Sequence, residues 1–408
     1  MNACVPSLSS HRYDILVIGG GMVGLTFAVT AADCGFDVCV VDRQDEGTML
    51  DAPFDGRTSA IAHASVQLLR ASGIWTGVAS EAQPIRDIHV SDGESRLFLH
   101  FDHRDLGAEP FGYMVENRHI RSALFDRAHV QVGLTVYTSN GVAALERGPG
   151  KVVATLSDGR EVHASLAVAA DGRGSPTREA AGISVAGLRY QQMGIVCTVA
   201  HERDHRAVAH ERFLTPGPFA ILPLRRRRAS LVWTEHADLA TAIMALDDDD
   251  FAAEMRQRFG DFLGATEVVG PRWAYPLALH HAECYVDHRL ALIGDAAHGL
   301  HPIAGQGLNL GFRDVAALVE VVLDASRLGL DIGQIDVLER YQRWRRSDNV
   351  LLLAVTDGLN RLFSNDINTL KVIRDLGLAA VDRLPALKKL FMAHARGSVG
   401  KLPRLLEG

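Results

Sequence analysis

Gly19-x-Gly21-x-x-Gly24 stands between an apolar strand-like run, Tyr13 to Ile18, and an apolar helical stretch that stops at Gly35. Such glycines permit a tight turn and let the backbone approach a pyrophosphate, whose charge meets the free N–H groups of the helix start. A second apolar run, Phe36 to Val41, closes a βαβ unit and ends on Asp42, 18 residues past Gly24, where an acid can bond an adenosine ribose. The unit predicts dinucleotide binding and leaves NAD and FAD both open.

Two further glycine-bearing turns follow. Asp171-Gly172-Arg173-Gly174-Ser175-Pro176 comes directly after the buried-looking run Leu166 to Ala170. It could cap amides, face a ribose or phosphate, or be an ordinary strand–helix turn. The longest segment, Gly294 to Asp314, begins after the run Leu290 to Ile293 and sets Asp295 at the strand end, where a carboxylate can bond a polyol chain. Pro302 makes a rigid turn, and Gly305 and Gly307 lead into a helix with an apolar face of Leu310, Val315, Leu318, Val319 and Val322. The bare amides of that helix start would favour negative charge on a cofactor ring by about 0.3–2 kcal/mol. These turns absorb much of a glycine content of 38 residues in 408.

Strand-like and helical units at 13–80, 117–180 and 290–325 alternate with antiparallel-type segments. The organisation expected is α/β: a three-layer Rossmann-like cofactor domain in pieces (11–82, 113–182, 281–345). An inserted, mostly antiparallel substrate sheet (83–112, 183–280) and a helical C-terminal region (346–408) complete it. Residues 60–73 read as helix, and 117–130 likewise. The Arg225–Arg228 run reads as a solvated hairpin tip and Asp247–Asp250 as a helix-entry turn.

Charge and cysteine bound the rest. A net charge of -7 argues against an overall basic nucleic-acid binder. The five cysteines (Cys4, Cys34, Cys39, Cys197, Cys284) are scattered without a CxxC pair, so free thiols in a cytoplasmic protein are expected rather than disulfides or a zinc site. The first residues lack the apolar core of a secretory signal, and no uncharged run reaches the roughly 18 residues of a spanning helix. His298 and His301 lie three apart, with no third ligand at useful spacing, so no metal is expected. Residues 361–408 carry nine basic residues against four acidic ones with leucines interleaved. Two readings stand for that region: a helix packed on the cofactor domain, or a peripheral contact with the inner face of a membrane.

Taken together, residues 13–42, 171–178 and 294–314 resemble the three motifs of the class A flavoprotein aromatic hydroxylases, the para-hydroxybenzoate hydroxylase fold. The run His301 to Asp314 (HPIAGQGLNLGFRD) is similar to the signature of the ubiquinone-biosynthesis hydroxylase branch, as are residues 55–75 and 341–364. The resemblance implies FAD as cofactor, NAD(P)H or another electron donor, and O2 as co-substrate. It implies hydroxylation of a polyprenyl phenol or benzoquinol ring through a flavin C4a-hydroperoxide. Gly19, Gly21, Met22, Val23, Gly24, Asp42 and Arg43 would hold the ADP half. Arg57 would approach the pyrophosphate and flavin, Asn117 the ribityl and phosphate, and Asp171 with Gly172 would support cofactor and NAD(P)H handling. Asp295 would bond the ribityl, while Pro302, Gly305, Gln306, Gly307, Leu308 and Asn309 would border the isoalloxazine. Asp42 departs from the glutamate of many members, which puts one ribose bond in doubt.

No acid–base catalyst is assigned, since the flavin carries the hard step. His301 and Pro302 are the candidates for residues near the reaction centre, and for His301 a loop-packing role stays open. Expected partners are a polyprenylated aromatic substrate and ubiquinone-biosynthesis proteins, with no nucleic acid. The alternatives are an FAD monooxygenase of the same fold with another small aromatic or polyketide substrate, and a non-catalytic scaffold of a lipid-biosynthesis complex. The tryptophans do not form the WxWxxP pattern of flavin halogenases.

Overall fold

A computed structural model describes residues 12–51, 56–93, 98–299, 307–363 and 384–407, the side chains of 351–363 excepted. Its first sheet runs Val286–Asp287, Leu290–Leu292, Glu161–Ala169, Arg12–Ile18, Val38–Val41, Leu134–Tyr137. From Leu290–Leu292 onward these pairings are parallel. The strands read as nearly continuous apolar runs because both faces are covered: Ile15, Leu16, Val17, Val38, Val40, Leu166, Val168 and Leu292 are all fully buried. Each such side chain contributes about 1.5–3 kcal/mol on leaving water. Val142–Arg147 and Val152–Leu156 extend the sheet as an antiparallel meander against Glu161–Ala169. Helices Met22–Asp33, Asn117–Val130 and Gly307–Arg327 pack with it into one continuous core.

The second sheet has the order His298–Gly299, Thr266–Ala282, Val185–His201, Arg228–His236, Gly217–Leu224, Val208–Leu214, Asp87–Asp92, Phe98–Asp102. Its pairings are antiparallel except that of Val208–Leu214 with Asp87–Asp92. One face is closed by helices Ala237–Met244 and Asp248–Phe259, which bury Phe251, Met255 and Phe259 against Cys197, Leu231 and Trp233. Arg226 and Arg227 take positive φ at the hairpin joining two of its strands, and Asp247 caps the second helix through Asp250 N–H. Both polar runs are therefore turn chemistry.

A third sheet joins Thr58–Ala62, Gly112–Glu116 and Gln83–Ile85. Here the structure departs from the helix expected over 60–73. Residues 58–62 form a strand because they pair with 112–116, and the helix starts only at His63. A one-turn window of sequence cannot contain that partner. Among the described residues, no helix is long and apolar enough to cross a membrane.

Candidate functional site

The parallel strands of the first sheet end on a common edge, the position at which open α/β sheets place their ligands. Gly19 leaves the strand with φ +107°, and a Cβ there would lie 2.4 Å from Ala170 O. A Cβ on Gly24 would lie 1.9 Å from Gly19 O, so the helix packs directly on the turn. Gly21 is different: it is exposed with no atom near its Cβ position, and it opens Met22–Asp33 without a side-chain cap or an acid in the first turn. Bare N–H groups therefore face an open space. Asp42 stands beside them, its Oδ2 accepting Gly20 N–H at 2.5 Å and its Oδ1 accepting Gln44 N–H at 2.7 Å. Arg43 is exposed.

The other two turns meet this one. Asp171 accepts Thr177 N–H at 3.1 Å through Oδ2, while its buried Oδ1 has no partner among the described residues. Gly172 has φ +87° and open space at its Cβ position. Val23 packs between Gly294 and Gly311, where added Cβ atoms would come within 3.1 and 2.6 Å of its methyl groups. The Arg178 guanidinium, buried, donates to the carbonyls of Arg173 and Ala296 and so ties the second turn to the third.

Along the third turn, Asp295 is exposed while its carbonyl oxygen is held by His280 Nε2 at 2.8 Å. Gly307 opens Gly307–Arg327 with no acid in the first turn and, among the described residues, no atom near its Cβ position. Leu308 packs at the edge of the main core. Asn309, buried, accepts Ala62 N–H at 2.8 Å and donates to Ala60 O at 2.7 Å, which fixes the helix start to Thr58–Ala62. At the other end of that strand, the Arg57 guanidinium lies 5.2 Å from the Tyr275 ring centre. Asn117 donates its backbone N–H to Arg57 O at 3.0 Å and accepts from Ser59 Oγ at 2.7 Å. His301, Pro302, Gly305 and Gln306 lie outside the described residues.

Sequence reasoning passed over what holds this loop in place. His298 Nε2 lies 2.5 Å from Asp314 Oδ2, and Gly294 N–H donates to the same oxygen at 3.1 Å. Arg345 Nε reaches Asp314 Oδ1 at 2.8 Å, and Arg345 bonds Asn349, which bonds the Tyr285 hydroxyl. Burial alone would raise the Asp314 carboxyl, but His298 and Arg345 beside it outweigh that and hold it below its ordinary value. His298 is thus committed to a carboxylate. The signal was present in the arginine-rich stretch at 341–346, but its partner lies a helix away.

The open glycine cradle, the Asp171 oxygen without a partner among the described residues, the uncapped start of Met22–Asp33 and an exposed carboxylate at the third strand end suit a diphosphate joined to a polyhydroxyl chain and a ring. Such a fold and site define an FAD-dependent monooxygenase. Residues 12–346 match the FAD binding domain family. The chain is 51% identical over 399 residues to ubiquinone hydroxylase UbiL of Rhodospirillum rubrum, covering 97% of this chain and 92% of that one. It is 35% identical to the 3-demethoxyubiquinol 3-hydroxylase of Escherichia coli, over 96% of this chain and all of that one (100%). Among solved structures, p-nitrophenol 4-monooxygenase PnpA of Pseudomonas putida superposes with a TM-score of 0.79 at 17% identity, covering 96% of this chain and 100% of that one, which establishes the fold. The chain belongs to the FAD-binding monooxygenase family that includes the ubiquinone hydroxylases.

Proposed function

We propose that this protein hydroxylates the aromatic ring of a polyprenyl phenol or benzoquinol intermediate of ubiquinone biosynthesis. The observation that carries this reading is the convergence of three glycine turns on one strand edge in a chain aligned end to end with ubiquinone hydroxylases. FAD, when bound and reduced by NAD(P)H or another donor, would activate O2, one atom of which enters the ring while the other leaves as water.

The chain's own residues bind and orient. Gly19, Gly21, Met22, Val23 and Gly24 receive the pyrophosphate on the open helix start, with Asp42 and Arg43 at the adenosine end. Arg57, just before Thr58–Ala62, and Asn117, opening Asn117–Val130, approach the diphosphate and ribityl, and the second turn meets the cofactor at Gly172 and through Asp171 Oδ1, which has no partner among the described residues. Asp295 bonds the ribityl, while Gly307, Leu308 and Asn309 border the flavin ring. Pro302, Gly305 and Gln306, with His301 near the reaction centre, keep the roles the family resemblance gives them. Reconstitution tests this assignment: wild-type protein takes up FAD and turns yellow, and Asp295→Ala loses most of the bound flavin. A colourless protein that takes up no FAD contradicts it.

The C-terminal region is proposed to touch the inner face of the membrane that holds the substrate. Helix Pro385–Arg396 buries Met392 yet leaves Leu384 and Leu390 54% and 49% exposed beside Lys389. Flotation with anionic vesicles tests it, and unchanged binding after Leu384→Ser with Leu390→Ser excludes this helix.

A further inference from the structure

Glu211 lies in the strand Val208–Leu214 of the second sheet, in register with Val90 on one side and Ala220 on the other. Continuing across the sheet, Ala220 pairs with Val232, Val232 with Val196, and Val196 with Trp273. Laterally paired residues point to the same face, so one carboxyl stands in an otherwise apolar row. This is the face turned toward the cofactor edge. Trp273 packs on Gly56, where an added Cβ would lie 1.9 Å from its ring, and Thr58 donates to Ser230 on the same face at 2.8 Å. The strand that begins with Thr58 is the one Asn309 grips.

The side chains before and after Glu211 point the other way. Arg212 donates to the carbonyls of Arg258 and Phe259 beneath the covering helix, and His210 packs on Phe262. Among the described residues, Glu211 has no hydrogen bond, no ion pair and no cation that opposes its burial. Its side chain is half-buried on this face. Burial, with nothing to oppose it, pushes the carboxyl up to about 7. Enclosing an unpaired carboxyl destabilises a protein, and a ligand that pairs with it relieves the cost.

We infer that Glu211 is the residue that receives a ring hydroxyl of the substrate, accepting its hydrogen bond while the apolar row holds the ring and its prenyl tail. The inference rests on the hydroxylase reading and adds the group that distinguishes a phenol from its ether. A carboxylate bonded to a phenol hydroxyl also draws its hydrogen away from the oxygen, which enriches the ring carbons ortho and para to it, the ones an electrophilic oxygen attacks.

The test uses FAD-loaded protein, a short-chain prenyl phenol and its methyl ether, with binding read from the flavin absorbance. Wild-type protein is expected to prefer the phenol about ten-fold, the worth of one hydrogen bond to a charged group. Glu211→Leu binds both alike, and Glu211→Gln, which keeps an acceptor oxygen, recovers part of the preference. Both variants melt at or above the wild-type temperature, because each removes an unpartnered buried charge; a carboxyl needed only for folding would lower it. A preference unchanged in Glu211→Leu, or absent in a wild-type protein that binds both ligands, overturns the inference and leaves the hydroxylase reading standing. A wild-type protein that binds neither contradicts that reading, and the inference with it.

Discussion

His298 and Asp314 form a fully buried pair 2.5 Å apart, and Arg345 closes the same carboxylate from the other side at 2.8 Å. The three residues come from the third turn, the helix after it, and the long helix Ile335–Phe363. Their joining fixes Gly294, whose N–H also reaches Asp314, and with it the approach of Asp295 to the strand edge.

Asp314→Asn is therefore expected to destabilise the fold by about 3–5 kcal/mol, since it removes the buried charge between His298 and Arg345 and leaves Arg345 only the more exposed Asp348 as counter-charge. Denaturant unfolding measures this. The folded carboxyl is held below its ordinary value, so its contribution is fully present above the unfolded value of about 4 and is lost as pH falls through the lowered folded one. An Asp314→Asn protein as stable as wild type would show that the pair is not structural.

Two glycines of the first turn separate folding from cofactor binding. Gly24→Ala puts a methyl 1.9 Å from Gly19 O, and it should cost about 1–3 kcal/mol in the cofactor-free protein as well as weaken FAD uptake. Gly21 has extended φ and ψ of -69° and 179° and no neighbour within reach, so Gly21→Ala should leave the free protein's melting temperature unchanged. It should still weaken FAD binding, because the methyl enters the space given to the diphosphate. Equal FAD affinity in Gly21→Ala and wild type would move the diphosphate elsewhere.

Acid lability is expected from the outer face of the second sheet. Burial, then His89 and Arg212, push the His210 imidazole down to about 3. His89 stacks edge-on against both His210 and His100, and His100 in turn bonds Asp87 at 2.7 Å. Between the ordinary 6.5 and about 3 the unfolded chain takes up a proton at His210 that the native one refuses. Stability therefore declines as the pH falls through that window. A melting-temperature series against pH reads the slope, and His210→Leu should flatten it. The same slope in both proteins would place the acid-sensitive group elsewhere.

The legible parts of this molecule were the local ones. Glycine spacing, a strand before it and an acid after it are written within 30 consecutive residues, 13–42, so the first turn could be read directly. The helix at Asn117–Val130 and the strand at Leu290–Leu292 were legible for the same reason. Thr58–Ala62 was not, because its strand state is set by residues 112–116. Val208–Leu214 was not marked as a strand either: its polar alternation reflects two differently covered faces, visible only once its neighbours are in place. What His298 does instead of binding a metal was not legible, because its partner Asp314 lies on the following helix and is closed by Arg345 from a distant one. Glu211 carried no local signal at all. Its meaning comes from the apolar row around it and from the absence of an opposing cation among the described residues, both tertiary facts.

The most direct test of the central claim is isotopic. FAD-loaded protein is incubated with NAD(P)H, a polyprenyl phenol and 18O-labelled dioxygen in unlabelled water, and the product is read by mass spectrometry. The account predicts a ring-hydroxylated product in which the new oxygen carries the label. Protein that binds and reduces FAD yet gives no hydroxylated ring, or a product whose new oxygen is unlabelled, contradicts it.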